Sequence, residues 1–284
     1  MLWEGRDVLN SEVYSYSKLG SYENCPYGYY LTYIEGNRGE NGTYGVLGGV
    51  LHEIMESLEH GIISKEEALN KWNNEVEFLE TIDELNFPTE KSKNNYLEDI
   101  SLYLKSFKPL EFEDKDVKSE SYFEIKLKEY LFRGYIDLSV IDHEKKEIKI
   151  YDYKTSSKNG FTGKNLLKKC YQLILYAMSM ESEYPDYSIV TACFDMVKYA
   201  RHIETRRIKE RKDIMPYEED EYERYFLEIP YNEENKNKFL EYIDMNIKLI
   251  KLDCKNKNWK ANYKNKFFCD NLCSHNKTCK YINK

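Results

Sequence analysis

Apolar spacing divides the chain into a helical first third and a strand-rich middle. Residues 17–34 carry an aromatic face at helical spacing, and the glycines between Gly36 and Gly45 break it before a second helix over residues 46–60. Ser64 and Glu67 form a capping box for a third helix running through Trp72 to Leu79. Pro88 precedes a fourth, with Tyr96, Ile100 and Leu104 on one side, and Pro109 closes the helical portion. From Lys118 the period drops to two, so residues 122–127, 130–140 and 148–153 read as successive strands, the last two joined by a turn from Asp142 to Lys146. Leu166, Leu167, Cys170, Leu173, Ile174 and Ala177 make one helical stripe, and residues 187–198 are again strand-like. Residues 201–228 are basic up to Lys212 and acidic from Glu218, which predicts an extended hairpin or a mobile excursion. Residues 235–252 form a last long helix, and a loop-rich tail starts at Trp259. The expected architecture is α/β, a mixed sheet flanked by helices. One domain, 1–284, would comprise a helical portion (17–110), a sheet core (118–200) and a cysteine-rich tail (255–284).

The strand ending at Lys154 departs from ordinary patterning. Alternation puts Ile148, Ile150, Asp152 and Lys154 on one face, so two apolar residues lead into an acid and a base. Buried carboxylates need a cation or hydrogen-bond donors, and a neighbouring strand containing Gly134-Tyr135-Ile136-Asp137 can bring a second carboxylate alongside. Hard oxygen ligands of this kind suit Mg²⁺ or Mn²⁺. An isolated Asp-x-Lys is usually a pair of surface charges; here it has company. His52 and Glu56 stand four residues apart on one helix face, and Gln172 and Tyr176 repeat that spacing later.

Composition narrows the class. The 284 residues carry a formal charge of -8, which argues against a passive nucleic-acid coat but not against an enzyme with a local basic track. No apolar run approaches the roughly 20 residues of a membrane span, and the first residues lack a secretion pattern, so a soluble cytoplasmic protein, of cellular or phage origin, is expected. Gly160-Phe161-Thr162-Gly163-Lys164 lacks P-loop spacing, so no intrinsic ATP-driven motor is expected.

The ordered set Gly48-x-x-x-His52-x-x-x-Glu56, Gly134-Tyr135-Ile136-Asp137, Tyr151-Asp152-Tyr153-Lys154-Thr155 and Gln172-x-x-x-Tyr176 resembles the RecB-like branch of PD-(D/E)XK nucleases over nearly the whole chain. The resemblance implies a restriction-endonuclease-like core. It also implies that His52, Asp137, Asp152 and the Tyr153 carbonyl ligate Mg²⁺ or Mn²⁺, and that Lys154 stabilises the attacking water or developing charge. Gln172 and Tyr176 would position Lys154 or a DNA phosphate. Glu120 falls where the family often carries a further acid, though no motif fixes its register. The implied activity is exonucleolytic hydrolysis of DNA, preferring single-stranded or frayed ends, in recombination, repair or phage DNA metabolism and alongside a helicase or recombination partner. A structure-selective or nicking endonuclease, or a non-catalytic DNA-binding scaffold, are the alternatives.

Cys269-x-x-x-Cys273-x-x-x-x-x-Cys279 leaves a four-coordinate site one ligand short, and Cys25 is the best fourth. The segment around Cys25 resembles that of iron-sulfur nucleases such as the AddB subunit and the CRISPR adaptation nuclease. That resemblance implies a structural [4Fe-4S] cluster joining the two ends of the chain, although the first gap of the C-terminal set has three residues where the family usually has two. Zinc, with His275 as a substitute ligand, is the competitor. Cys170, Cys193 and Cys254 default to packing. Arg201, Arg206, Arg207, Lys209, Arg211 and Lys212 could track a DNA backbone or simply be solvated. Tyr22, Tyr27, Tyr29, Tyr30 and Tyr33 could stack bases, but a packed helix face suits them better.

Overall fold

The period-two segment beginning near residue 116 becomes the centre of the protein, here a computed structural model describing residues 13–202 and 222–282. Strands β2 (Asp116–Leu127) and β3 (Tyr130–Asp142) form a long antiparallel hairpin. Beside β3 runs β4 (Glu147–Lys154), antiparallel and entered through the expected turn after Asp142. Helix α6 (Gly163–Glu183) then crosses over to β5 (Ser188–His202), which pairs parallel to β4 as such crossovers require. β6 (Tyr222–Glu228) returns antiparallel along β5, and β1 (Val13–Tyr14) adds parallel to β3 at Leu131 and Phe132. The six-stranded sheet thus takes in strands on either side of the expected 118–200 core. Two legs of a hairpin do flank the charged segment after Arg201. Its basic residues Arg206, Arg207, Lys209, Arg211 and Lys212 lie outside the described residues.

Because β2 fills one edge of β3 along its length, β1 and β4 share the other. Between their footprints, residues 133–137 of β3 have no strand partner on that edge among the described residues. The sheet forks there.

Both sheet faces are covered. Ile148 and Ile150 of β4 pack with Phe194, Leu173, Ile174 and Phe239, beneath α1 (Tyr16–Asn24), α6 and α7 (Glu233–Asn256). Tyr151 and Tyr153, the intervening residues, pack on the other side with Leu51, Ile54, Trp72 and Ile100 of α3 (Thr43–Glu59), α4 (Lys65–Thr81) and α5 (Glu90–Lys105). From Ile150 to Tyr153 the strand is buried on both faces, while Lys149 before it remains exposed. The Ser64 and Glu67 capping box forms as patterned. No described helix is long and apolar enough to cross a membrane.

The expected helix over residues 17–34 is instead broken at Cys25, which is extended (φ -161) between α1 and α2 (Pro26–Tyr29), with a π-helical turn at Tyr30–Ile34 beyond. Its thiol caps α2 by accepting from the Gly28 N–H, and Pro26 supplies the fixed φ favoured at a helix start. Further on, Gly39 has φ +68, and a Cβ there would sit 2.3 Å from the Ser274 carbonyl oxygen. Only glycine allows this loop to meet the C-terminal tail, where the Glu40 N–H donates to that same oxygen at 2.9 Å.

Candidate active site

The fork brings together residues from both halves of the chain. Pairing between β3 and β4 stops at Leu138 and Tyr151, and the next step is made by a side chain: the Tyr153 N–H donates to Asp137 Oδ2 at 3.0 Å. One residue further, Lys154 lies against Asp152 Oδ2 as an ion pair. From α3, His52 reaches the same end of β4, its Nε2 3.2 Å from the Tyr153 carbonyl oxygen and its Nδ1 3.4 Å from Asp137 Oδ2. Glu120 completes the group at 3.9 Å from His52 Nδ1. The ligand atoms of His52, Glu120 and Asp137 all lie within 4.8 Å of one another.

Glu120 arrives by a local break in the pleat. It adopts φ +44, a costly conformation for a side-chain-bearing residue, and it sits opposite Asp137 between the Ser119–Leu138 and Ser121–Ile136 pairs. Across this point the strand exchanges faces: Phe132 and Ile136 pack with the α6 layer, but Leu138 and Val140 pack with the α3 layer. Regular alternation would keep all four together. The strain sits at the acid pair, and it turns both carboxylates towards His52.

The electrostatics are unbalanced. Asp152 is completely buried; the Lys154 ammonium lies against its Oδ2, and its Oδ1 has no hydrogen-bond partner. Burial, then the neighbouring charge of Asp152, pushes the Asp137 carboxyl up to about 7 against the opposing pull of His52 and Lys154. Burial works against a charged His52 imidazole, but Glu120, Asp137 and Asp152 together lift it above the usual histidine value. On the opposite wall, Gln172 donates to the Tyr176 hydroxyl at 2.8 Å. Burial and the charges of Asp152, Asp137 and Glu120 raise the Tyr176 phenol, keeping it protonated. Gln172 therefore engages Tyr176, not Lys154. Glu56 is exposed on α3.

Beside the fork lies a second buried cluster that sequence patterning did not single out. Arg224 of β6 donates to Glu59 Oε2 at 2.7 Å and to Asp195 Oδ2 at 2.7 and 2.9 Å, and its guanidinium stacks over Phe107 and Phe226. Tyr103 donates to Asp195, and the Leu110 N–H donates to Glu59 at 2.6 Å. The Tyr153 hydroxyl reaches Glu59 at 3.4 Å, so the residue between Asp152 and Lys154 touches both clusters. The available signal was Asp195, a lone acid among the apolar residues of a strand.

The four cysteines form a separate centre between the chain's ends. Cys25, Cys269, Cys273 and Cys279 line one small cavity together with His275. Cys25 Sγ accepts from the Gly28 and Asn262 N–H groups, each at 3.4 Å. Among the described residues, no three of the four sulfurs lie within 4.8 Å of one another. His275 is buried, with Nε2 bonded to Thr32 Oγ1 at 2.8 Å and Nδ1 without a partner. Of the tyrosines considered for base stacking, Tyr22 and Tyr29 are core residues, while Tyr29 and Tyr30 stack on Trp259.

A solved structure from Eubacterium rectale named "Putative exonuclease" is similar at 11% identity and a TM-score of 0.49, over 100% of this chain and 94% of that one. No curated protein matches the sequence. The profile described as the PD-(D/E)XK nuclease superfamily matches residues 13–280, a span that contains the fork, both its walls and all four cysteines of the tail centre. A mixed sheet flanked by helices, with an acid pair and a lysine where two strands part, is therefore the core of a chain that belongs to the PD-(D/E)XK nuclease superfamily.

Proposed function

We propose that this chain is a metal-dependent DNA exonuclease of the RecB-like branch, acting on single-stranded or frayed ends. Asp152 carries the reading. A fully buried carboxylate with a lysine on one oxygen and nothing on the other, set beside a second acid, is costly unless a further cation offsets it, and one lysine stands among three acids here. The donor set fits a hard divalent ion: His52, Asp137, Asp152 and the Tyr153 carbonyl would hold Mg²⁺ or Mn²⁺, with Glu120 as a further acid. When bound, the ion supplies Lewis acidity at the phosphate and lowers the pKa of water. The remaining steps belong to the protein. Asp137 fixes the Tyr153 peptide through its N–H and so aims the adjoining carbonyl. Lys154 offers a cation for charge that develops in the transition state. Tyr176 accepts from Gln172, which leaves its own proton to donate.

The exonuclease version rests on access. The α3 wall with His52 and the α6 wall with Gln172 and Tyr176 flank the fork, which suits a threaded single strand better than a duplex. With no P-loop, unwinding would fall to a helicase or recombination partner. The test is end-labelled single- and double-stranded DNA, linear and circular, with Mg²⁺ or Mn²⁺. Linear single strands should be degraded from their ends; closed circles cut at the same rate would replace this version with an endonuclease.

At the tail, Cys25, Cys269, Cys273 and Cys279 would hold a [4Fe-4S] cluster as a cross-link between the chain's ends. The four cysteines line one small cavity, and two N–H groups point at Cys25 Sγ. Anaerobically purified protein should be brown and contain iron; stoichiometric zinc without iron would overturn this assignment.

A further inference from the structure

Two exposed rings stand beside the acid group. Tyr122 and Tyr135 face each other across β2 and β3, with ring centroids 5.5 Å apart, and are 53% and 56% exposed. Neighbouring large residues of the same strands, Phe123, Ile125, Tyr130 and Phe132, are buried. Tyr122 lies two residues from Glu120 and Tyr135 two residues from Asp137, roughly 7 Å along each strand. Rings and acids therefore form adjacent rows on one hairpin.

The rings also border a cleft. A space of about 520 Å³ opens at the fork, lined by Tyr122, Tyr135, Arg133, Tyr16, Gln172 and Tyr176. It occupies the edge of β3 left vacant between β1 and β4. Gly134 is part of this construction, because a Cβ there would come within 2.9 Å of the Phe123 ring that floors the hairpin. The volume falls in the range of small-ligand sites, roughly 300–1,000 Å³, and the walls offer aromatic surface, one guanidinium and the Tyr176 hydroxyl that Gln172 supports. A nucleotide carries the complementary groups: a flat base, an anionic phosphate and hydrogen-bonding edges. Inside a duplex both faces of a base are covered by its neighbours, so away from a blunt terminus an unpaired base is what these rings can take.

We propose that Tyr122 and Tyr135 form a stacking subsite for an unpaired base of the strand whose phosphodiester lies at Asp137 and Asp152. The proposal rests on the nuclease reading above. It names the feature by which the site selects single strands. Arg133 carries the phosphate of the stacked nucleotide.

The experiment compares wild type, Tyr122→Ala, Tyr135→Ala and the double variant on a linear single-stranded oligonucleotide and on versions abasic at successive positions near the cut. Each alanine variant should raise KM by roughly 5- to 150-fold, the factor a stacked base contributes, with kcat held within about twofold. Tyr135→Phe, which keeps the ring, should recover the affinity lost in Tyr135→Ala. One abasic position should weaken wild type by the same factor and leave the double variant indifferent. Binding of the intact oligonucleotide to metal-free Asp152→Asn protein, followed by anisotropy, reads the same loss without cleavage. Wild type that cuts single strands while the alanine variants keep its KM would overturn the stacking subsite alone. Wild type that neither binds nor cuts the oligonucleotide would overturn the nuclease reading and this proposal with it.

Discussion

Two acidic clusters lie side by side in this protein, and their acids are unequally supplied with hydrogen-bond donors. In the first, Glu59 and Asp195 share Arg224, and both carboxylates receive further donors from Leu110 and Tyr103. In the second, Asp137, Asp152 and Glu120 share Lys154 and a half-buried His52, and Asp152 has no donor besides the lysine. Tyr153 belongs to both, and it pairs with Asp195 across β4 and β5. Asp152 and Asp195 are equally buried, so burial alone does not separate the two. The difference is the number of donors: Asp195 Oδ2 accepts from Arg224 and Tyr103 although its Oδ1 has no partner, whereas Asp152 has the Lys154 ammonium alone. That makes its cluster the less satisfied one and, in the proposed reading, the one that holds a cation.

The largest effect should come from removing charge at the less satisfied cluster. Asp152→Asn should lower kcat by roughly 10³-fold or more, since several kcal/mol of transition-state stabilisation depend on the ion it helps hold. Above about pH 7, where Asp137 is ionised, the melting temperature of the metal-free protein should stay the same or rise, because relief of repulsion with Asp137 offsets the lost Lys154 ion pair. A variant that loses both activity and stability would mean that Asp152 is a structural acid, and the comparison would collapse.

The converse experiment is Arg224→Met. Removing the shared cation leaves Glu59 and Asp195 buried and unpaired, which should cost about 3–5 kcal/mol in urea denaturation. Activity at a temperature where the variant is folded should fall far less than in Asp152→Asn. Loss of stability below about 1 kcal/mol would show that the network is not what holds β6 to the sheet.

How much of this contrast could be read from the chain depends on range. Ser64 and Glu67, the turn after Asp142 and the apolar stripe of α6 are local signals, and they formed where patterning put them. His52, Asp137, Asp152, Lys154, Gln172 and Tyr176, grouped by resemblance, do meet at the fork. Cys25 broke its expected helix because a thiol capping Gly28 is an option that helical periodicity does not register. The Glu120 pleat reversal was hidden for a similar reason: alternation assumes regular dihedrals, and φ +44 violates that assumption. Arg224 reaches a glutamate 165 residues away, in a segment that reads simply as charged. No local pattern carries that information.

His52 sharpens the comparison from the ligand side. Its imidazole touches the Tyr153 carbonyl and Asp137, so His52→Ala should weaken Mg²⁺ or Mn²⁺ affinity by about 10–100-fold, with smaller change in DNA binding. An unchanged metal titration would return His52 to a packing role.

A pH experiment distinguishes the clusters without altering catalysis. Asp137 holds its proton up to about pH 7 in the folded, metal-free protein, whereas an unfolded aspartate releases it near about 3.9. Between those values the folded state binds more protons, so its stability falls as pH rises from about 4 to about 7. Above about 7 this contribution is constant. Metal affinity should run the other way, tightening as pH rises through about 7 and the carboxylate is freed. Melting curves of metal-free wild type and Asp137→Asn should therefore converge at low pH and separate towards pH 8, with wild type the less stable. Parallel curves would place the proton elsewhere.

The smallest effect concerns the far wall. Tyr176 is held by its edge-to-face contact with Phe123 at 5.7 Å and by the hydrogen bond from Gln172, so its ring has little freedom. Its hydroxyl already accepts one hydrogen bond, and the nearby acids keep it protonated, which leaves one proton to offer a phosphate oxygen or a metal-bound ligand. A neutral donor of this kind stabilises charge less than Lys154 does, so Tyr176→Phe should lower kcat by roughly 10-fold or less and leave the fold intact. Gln172 has no separate task in this arrangement, because it acts by orienting that hydroxyl. Gln172→Ala should then have a similar effect, and the double variant should be no slower than Tyr176→Phe alone, the non-additivity expected of two residues acting as one unit. Kinetic effects that add in the double variant would show that Gln172 touches the substrate directly, and the α6 wall would contain two independent contacts in place of one supported donor.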